Sequence, residues 1–275
     1  MHLPDPSALL ALLEKHIRLP EGLEALSARY QTAKPFPHLV LDGIFPATVL
    51  DDIVGDMSEI HGESWLNLDT EGFERKIALR SAIDLTTTGL QLTALLHSAA
   101  FLYLLTALTG IRELLPDPYL QGGGYHRMPP GSFFHVHVDR NVAYDTGLRR
   151  RLALIIFLNK AWKQEYGGHL ELWSADGLHR EVSIEPIFNR TVIFEVASAN
   201  YHGVPAPIAS PAGSSRNSFL VYYHTVGADG SEDIAPHSSI FAPKREGRLG
   251  IAVRRIARDC LPPIVFRPLR KLWGP

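Results

Sequence analysis

Cysteine and long apolar stretches are the two features that this 275-residue sequence most clearly lacks. Its single cysteine, Cys260, cannot form an internal disulfide and cannot build a thiolate metal cluster, which favours a reducing compartment. The longest apolar runs, such as 152–158, are far shorter than the roughly 20 residues that a membrane-spanning helix needs. The first residues show no basic segment followed by an apolar stretch, so no secretory signal is evident. These absences predict a cytoplasmic protein.

The remaining composition is that of an ordinary globular protein. Apolar residues make up 45% and charged residues 20%, and the mean hydropathy is close to zero. A sizeable core is therefore available, and a disordered or fibrous chain is excluded. The length fits two domains or one large one. Because no repeat, low-complexity segment or break in composition divides the chain, we expect one domain over residues 1–243.

The charges are unevenly distributed along the chain. The net charge is −2, but residues 244–275 hold nine basic and two acidic residues, which leaves a net charge of −9 on residues 1–243. This basic C-terminal segment has three interpretations: peripheral contact with an anionic membrane surface, attraction of an anionic substrate, or pairing with the acidic remainder of the chain. A nucleic-acid partner is not expected, because no recognisable nucleic-acid-binding fold accompanies the charge.

Apolar spacing predicts helices in the N-terminal part and short strands after it. The helices are expected from Ser7 to about Leu13, from Pro46 to about Ile60, and within Leu90–Leu108, with a short strand at Leu39–Leu41. Six β-rich runs separated by turn residues argue for an antiparallel sandwich or barrel rather than a parallel sheet. These runs are Phe133–Val138, Leu152–Leu158, His169–Trp173, Glu181–Ile184, Thr191–Val196 and Asn217–His224. The predicted fold is mainly β with flanking helices, around a jelly-roll core.

A short run of alternating histidines carries the strongest chemical signal. His135, His137 and Asp139 share one face of the strand predicted over 133–138, because side chains alternate along a strand. Two imidazoles and a carboxylate can bind a divalent metal, and a His-x-Asp pair with one remote histidine favours iron over zinc. Equally, these residues could be the solvent-facing positions of a half-buried strand.

Two downstream segments supply the residues that could complete such a site. His202 follows the strand predicted over 191–196, and Arg216 opens the last predicted strand with Ser218 on the same face. If that face points inward, the guanidinium needs an anion, and a carboxylate matches its bidentate geometry. Taken alone, Arg216 could also be a solvated residue at the start of a strand.

This ordered set resembles the Fe(II)/2-oxoglutarate (2OG)-dependent dioxygenases, and in particular their prolyl-4-hydroxylase-like branch. The resemblance rests on His137-x-Asp139, then His202, then Arg216-x-Ser218, and it covers roughly Leu120 to Thr225. Further segments between these residues are similar to the branch: Leu158-Asn159 with Trp162, Gly167–Leu172, Pro186–Arg190 and Val192–Phe194.

The resemblance implies a fold, a cofactor set and a reaction. It implies a double-stranded β-helix in one catalytic domain, with helical support over about 1–118 and the jelly roll over about 119–226. It further implies that His137, Asp139 and His202 hold Fe(II), while Arg216 and Ser218 grip the distal carboxylate of 2OG. Dioxygen is the oxidant and ascorbate a candidate reductant. The implied reaction hydroxylates an unactivated C–H bond and converts 2OG to succinate and CO2.

Some positions depart from the family pattern or stay open. The branch usually has a tyrosine where this sequence has Phe157, and Tyr125 is a candidate to supply the missing hydroxyl to 2OG. Arg140 and Asn141 follow the metal carboxylate and are candidate substrate residues, together with His135. As a set they hint at a polar or anionic substrate.

The sequence does not identify the substrate. A peptidyl proline, an amino acid, a glycan or lipid-linked sugar, and a natural product are all compatible with the resemblance. A halogenase of the same family is disfavoured, because such enzymes replace the metal carboxylate, here Asp139, with a small residue. The alternative from another class is a non-catalytic jelly-roll scaffold with a vestigial metal site.

Overall fold

The protein was analysed as a computed structural model, which describes residues 11–227 and 235–242. The helix predicted from Ser7 starts outside these residues, and its described part is helical over 11–13. The basic segment 244–275 and Cys260 also lie outside the described residues. All residues of the predicted site lie within the residues that the structure describes.

The longer helices of the described residues all lie before residue 110. They are α1 (Leu23–Thr32), α2 (Ala47–Glu59), α3 (Thr87–Leu96) and α4 (Ala99–Thr109), with single 3₁₀ turns at Gly62–Ser64 and Ala82–Asp84. The helix predicted from Pro46 to Ile60 is confirmed as α2, which begins after Pro46 and ends before Ile60. Its buried residues Leu50, Ile53 and Met57 recur at helical spacing and face the core.

The single helix predicted within Leu90–Leu108 is wrong, because the chain forms two helices there. Ser98 interrupts the segment and caps α4 by accepting a hydrogen bond from the Phe101 amide at 3.2 Å. The predicted end at Gly110 is confirmed, since this residue adopts the left-handed conformation (φ 76°) that favours glycine. In the described part of the chain no single helix is long and apolar enough to cross a membrane, although the bent pair α3–α4 passes that test by length and composition alone.

The strands form one antiparallel, curled sheet. They are β1 (His38–Asp42), β2 (Trp65–Thr70), β3 (Glu74–Leu79), β4 (Leu115–Pro116), β5 (Gly124–Met128), β6 (Phe133–Val138), β7 (Arg149–Phe157), β8 (Leu170–Trp173), β9 (Arg180–Ile184), β10 (Arg190–Glu195), β11 (His202–Val204), β12 (Arg216–Thr225) and β13 (Ile240–Phe241). The order along the sheet is β1-β10-β7-β12-β5-β3-β6-β11-β8-β9. The predicted jelly-roll core is confirmed, and all six predicted strands lie within three residues of their expected bounds.

Alternation along β7 explains how this sheet separates two cores. Leu152, Leu154 and Ile156 pack with residues of the helices, whereas Ala153 and Phe157 face β8–β10 in the interior of the roll. A strand buried on both faces must be apolar at every position, which is why 152–158 reads as a continuous apolar run. The helices therefore cover one face of the sheet and leave the other face for a cavity.

The sequence interpretation missed the hairpin formed by β2 and β3. Its strands are mostly polar and exposed, so the hairpin shows no clear apolar alternation. β3 pairs with β5 at Ile77–Arg127 and with β6 at Glu74–Phe134. The hairpin thus bridges the two halves of the sheet and brings Lys76 to the cavity between them.

Asn189 fastens the β10 end of the sheet to the N-terminal segment. It has a positive φ of 60°, and its backbone carbonyl accepts a hydrogen bond from the Gly43 amide at 2.8 Å. Its side chain accepts from the Phe45 amide at 3.3 Å and donates to the Phe45 carbonyl at 2.7 Å. Asparagine tolerates the left-handed region better than other side chains, so one residue provides both the turn and the clamp.

We therefore expect Asn189→Ala to lower the free energy of unfolding by about 2–4 kcal/mol, because two buried hydrogen bonds are lost and alanine is strained at positive φ. Urea unfolding measures this change. Asn67→Ala, at an exposed position of β2, is the control and should change stability by less than about 0.5 kcal/mol. Equal effects of the two substitutions would contradict the clamp.

Candidate active site

Three buried side chains from β6 and β11 meet at one end of the roll. His137 and Asp139 lie at the end of β6, and His202 opens β11, where it is the antiparallel partner of His137. All three are buried, and one possible ligand atom from each lies within 4.8 Å of the others. The predicted meeting of two distant stretches is confirmed.

Backbone carbonyls orient both imidazoles toward the carboxylate. The Nδ1 atom of His137 lies 2.8 Å from the His135 carbonyl, and that of His202 lies 3.0 Å from the Asn200 carbonyl. Because a carbonyl only accepts, each Nδ1 carries the proton and each Nε2 keeps a free lone pair. These Nε2 atoms lie 3.3 and 3.6 Å from the two oxygens of Asp139. The arrangement is that of a metal-binding triad with its tautomers already set.

The electrostatics of the triad favour the protonation states that a metal requires. Burial lowers the pKa of His202 to about 4, with His137 adding to the effect, so the ring is neutral at physiological pH. Burial alone would raise the pKa of Asp139, but the neighbouring His202 and His137 lower it below its usual range. The site therefore presents two neutral imidazoles and one carboxylate.

Tyr222 fixes the orientation of the carboxylate. Its hydroxyl donates to Asp139 Oδ2 at 3.0 Å, and its ring lies 3.5 Å beneath the Arg150 guanidinium. Burial raises the pKa of Tyr222, and the nearby Asp139 charge raises it further, so the phenol remains a donor. Sequence reasoning missed this role, because a tyrosine within an apolar strand gives no signal of its own.

A bulge in β6 changes which residues accompany His137. The β6–β11 register shifts between His202 and Val204, so that Phe134 rather than His135 lines the cavity beside His137. The ring centroids of Phe134 and His137 are 3.8 Å apart. Gly203 permits this geometry, since a Cβ there would lie 2.9 Å from the Phe134 carbonyl oxygen. The strict alternation predicted for 133–139 is therefore wrong at the bulge.

His135 consequently points away from the cavity. Its Nε2 lies 3.2 Å from the Ala242 carbonyl, and its ring packs beside Phe73 and Phe241. The structure does not bring it to the cavity lining among the described residues. A direct substrate contact by His135, which the sequence suggested, has no geometric support.

Arg216 is buried across the cavity from the triad. Its side chain is 4% exposed, its Nε donates to the Gly168 carbonyl at 2.6 Å, and its Nη1 lies 3.6 Å from Met128 Sδ. Within residues 11–227 and 235–242 no carboxylate pairs with it. Burial lowers the pKa of Arg216 to about 9, so the guanidinium stays charged at neutral pH. The inward orientation left open by the sequence is the one observed.

Arg216 lines the cavity and is packed between Gly168 and Phe157. Gly168 packs so closely that a Cβ there would lie 3.0 Å from the Arg216 Cδ. The guanidinium carbon lies 4.8 Å from the centre of the Phe157 ring. Ser218 lines the cavity two residues along β12, as alternation predicted.

Tyr125 does not reach the cavity. It is fully buried on the helix-covered face, where its hydroxyl lies 3.0 Å from Thr86 Oγ1 and its ring packs on Phe219. Its neighbours His126 and Met128 have the opposite orientation. The suggestion that Tyr125 replaces the hydroxyl missing at Phe157 is therefore not supported, because β5 alternation turns it away.

The two residues after Asp139 have different positions. Arg140 lines the cavity with its guanidinium carbon 4.7 Å from the Tyr144 ring centre. Asn141 instead donates to the Ala235 carbonyl at 3.1 Å and accepts from the His237 amide at 2.8 Å. It therefore anchors residues 235–242, hereafter the strap, whose Phe241 pairs with His137 and covers the cavity.

The cavity encloses about 380 Å³ and contains more positive charge than the sequence predicted. Besides Arg216 and Arg140, its lining includes Lys76 from β3 and the buried Arg150 from β7. Sequence reasoning missed Lys76 because the hairpin that carries it was not predicted. Arg150 is one of three consecutive arginines, and no pattern distinguished it from its neighbours.

The comparisons with known proteins agree with this geometry. Residues 123–224 match the family model described as "2OG-Fe(II) oxygenase superfamily". That range nearly coincides with the stretch on which the resemblance was based, and it contains the triad, Arg216 and Ser218. None of the curated proteins searched matches the chain significantly.

Solved structures show the same fold at low sequence identity. A Pseudomonas putida prolyl-4-hydroxylase is 20% identical, with a TM-score of 0.54 over 75% of this chain and 100% of that one. A Trichoplax adhaerens prolyl hydroxylase in complex with a hypoxia inducible factor peptide is 16% identical, with a TM-score of 0.53 over 80% and 94% of the chains. The α-ketoglutarate-dependent epimerase SnoN from nogalamycin biosynthesis is 11% identical, with a TM-score of 0.51 over 81% and 96%.

The Tyr222 contact leads to a test of metal binding. We expect Tyr222→Phe to weaken divalent metal binding by about 10- to 100-fold, because Asp139 loses the donor that orients it. Competition titration with a chromophoric chelator measures the dissociation constant. Tyr223→Phe is the matched control, since that hydroxyl donates to the Leu96 carbonyl on the helix side. Equal metal affinity in the two variants would refute the role of Tyr222.

The buried His224 and the half-buried His126 predict how the stability of the metal-free protein depends on pH. Burial lowers the pKa of His126 to about 3 and that of His224 to about 4. Both values lie below the unfolded value of about 6.5, so the stabilisation is complete above pH 6.5 and is lost as the pH falls toward 4. Urea unfolding at pH 7 and pH 5 should differ by roughly 2 kcal/mol for each histidine, and His224→Gln should reduce that difference. A pH-independent free energy of unfolding would contradict this.

Proposed function

We propose that this chain, whose residues 123–224 match the 2OG-Fe(II) oxygenase superfamily, is a hydroxylase that inserts oxygen into an unactivated C–H bond of its substrate. The observation that carries the proposal is a cavity lined by the buried His137–Asp139–His202 triad and by the buried Arg216, which has no carboxylate partner among the described residues. Burying a guanidinium without a carboxylate partner lowers the stability of a fold, so a purely structural role does not explain the position of Arg216.

The residues at the triad fit Fe(II). The Nε2 atom of His137 is buried and has no hydrogen-bond partner among the described residues, although an unsatisfied buried nitrogen is costly. Two imidazoles and one carboxylate form the facial set that suits non-haem Fe(II) and leaves coordination positions open. His137, Asp139 and His202 would hold the ion.

The residues around Arg216 fit the dicarboxylate 2OG. A guanidinium that is buried, charged and unpaired requires an anion, and a carboxylate accepts two parallel hydrogen bonds from its outer nitrogens. We propose that Arg216 holds the distal carboxylate of 2OG and that Ser218, two residues along the same face, contributes its hydroxyl. This assigns to both residues the roles that the family resemblance implied.

The chain itself contributes binding, orientation and shielding. When bound, Fe(II) and 2OG supply the oxidative chemistry, in which O2 is consumed, 2OG becomes succinate and CO2, and one oxygen atom enters the substrate. Arg216 fixes 2OG at one end, and Tyr222 keeps Asp139 oriented at the other. Phe134 and Phe241 pack around His137 and limit the access of water to the triad. Asp139 is intact, which favours hydroxylation over halogenation.

The substrate is a small molecule or a peptidyl group. Two of the similar structures are named as prolyl hydroxylases, and one is solved with a peptide, whereas another is named as an epimerase of natural-product biosynthesis. At these identities the likeness extends to the fold alone. A cavity of about 380 Å³ is compatible with either substrate type.

The triad gives the first test of the proposal. Protein purified without oxygen should hold about one iron per chain, and His137→Ala or Asp139→Ala should remove the iron and abolish succinate release from 2OG across a compound panel. Iron content is measured by mass spectrometry, and His179→Ala, in an exposed turn, is the control. A folded wild-type chain that binds no iron would support the scaffold alternative instead.

Arg216 gives the second test. Arg216→Gln should weaken 2OG binding to the Fe(II)-loaded protein by roughly 100-fold, because a charge-assisted bidentate contact is lost. Calorimetric titration under nitrogen measures the dissociation constant. Arg180→Gln is the control, since Arg180 is exposed and pairs with Glu171 outside the cavity. Unchanged 2OG affinity in Arg216→Gln would overturn the assignment.

A further inference from the structure

The charges that line the cavity do not balance once Fe(II) and 2OG are bound. Four cations line it, Lys76, Arg140, Arg150 and Arg216, against two carboxylates, Glu74 and Asp139. The lining histidines add no charge, since His137 and His202 are metal ligands and burial lowers the pKa of His126 to about 3. The two charges of Fe(II) are offset by the two carboxylates of 2OG, so about two positive charges remain uncompensated.

Lys76 occupies the part of this cavity beside the metal ligands. Its ammonium lies 3.4 Å from the centre of the Phe134 ring, and that ring in turn packs against His137. Burial lowers the pKa of Lys76, while Glu74, 3.4 Å away, and Asp139 oppose the shift. A lysine taken out of water next to the reaction centre has a desolvation cost that one carboxylate at this distance only partly offsets.

Arg140, the residue after the metal carboxylate, lines the same cavity. It is half-buried and has no carboxylate partner in the described part of the chain. Arg150 donates to the Gln121 carbonyl at 2.8 Å, and none of the described residues bonds to its buried Nε. Arg216 is on β12 with the proposed 2OG subsite, whereas Lys76 and Arg140 belong to the hairpin and to the loop after Asp139. Lys76 and Arg140 are therefore held by elements other than the strand that carries Arg216.

We infer that Lys76 and Arg140 form a second anion subsite, which binds a carboxylate, phosphate or sulfate group of the substrate close to the carbon that is oxidised. This rests on the proposed function, because the cavity must already hold Fe(II) and 2OG. Lys76 acts as a point charge, and Arg140 supplies a planar set of donors that matches an oxyanion. Ser238 and Ser239 of the strap line the same cavity and add short polar side chains at its rim. The substrate class is therefore anionic, and neutral compounds of equal size should bind poorly.

The subsite can be tested without knowing the substrate. Protein loaded with Fe(II) under nitrogen and saturated with 2OG is dialysed against radiolabelled inorganic phosphate, sulfate or acetate, with acetamide as the neutral probe. We expect about one additional anion per chain and no acetamide, and the anion that binds most tightly identifies the oxyanion chemistry. Lys76→Met and Arg140→Gln should each weaken that binding by about tenfold or more while 2OG affinity is unchanged.

Controls separate this inference from a loss of folding and from the proposed function. Lys163→Met and Arg180→Gln remove exposed cations outside the cavity and should leave anion binding unchanged. Lys76→Arg keeps the charge and should retain binding if Lys76→Met proves unstable, with folding checked by circular dichroism. Iron and 2OG stoichiometry is measured on the same samples.

Three results would overturn the inference while leaving the proposed function intact. These are full loading with iron and 2OG but no further anion bound, anion binding that Lys76→Met and Arg140→Gln do not alter, and loss of 2OG binding itself in these two variants. The last result would place both cations in the 2OG subsite. Failure of the wild-type chain to bind iron and 2OG would instead reject the proposed function.

A turnover measurement gives an independent readout. Succinate release is screened with pairs of compounds that differ only in one anionic group, such as a carboxylic acid and its amide. Stimulation should be confined to the anionic member of each pair, and KM for that compound should rise about tenfold in Lys76→Met, whereas KM for 2OG should not change. Stimulation by the neutral members alone would contradict an anionic substrate.

Discussion

The pairing of β6 with β11 is the interaction on which the site depends. It places His202 directly opposite His137, and the bulge beside Gly203 brings Phe134 against the His137 ring. Neither histidine could reach the other through local structure, since 64 residues of sequence separate them along the chain. The rest of the sheet, with its cover of helices, holds these two short strands in register while the backbone carbonyls at 135 and 200 fix the tautomers.

Much of this arrangement could be predicted from the sequence. The predicted bounds of β6 are the observed ones. The fold and the cofactor set were predicted from the order of His137, Asp139, His202 and Arg216 along the chain, because that order is specific to the family although each short motif alone is not. The apolar run at 152–158 predicted a strand, and the structure shows that this strand, β7, is buried on both faces. Regular periodicity and family order were therefore enough for the framework and for the metal ligands.

What could not be predicted depended on breaks in periodicity and on tertiary neighbours. The alternation that correctly placed His137 wrongly placed His135, since a bulge inserts a residue without any clear sequence signal. Tyr125 was a candidate hydrogen-bond donor to 2OG, but the register of β5 directs its hydroxyl toward Thr86 instead. Ser98 splits a helix that reads as continuous in apolar residues. Lys76 lies on a polar hairpin. The position of that hairpin is defined by the pairing of β3 with β5 and β6, which the sequence does not show.

Strand β12 has a consequence for how such a cavity can change. Arg216, Ser218, Leu220 and Tyr222 project into it from alternate positions, so one straight strand of about 20 Å spaces the anion-holding arginine from the donor that steadies Asp139. Inserting or deleting one residue between 216 and 222 would turn part of this row outward. The hairpin, the strap and the loop after Asp139 also line the cavity, and their side chains can be exchanged without shifting that spacing.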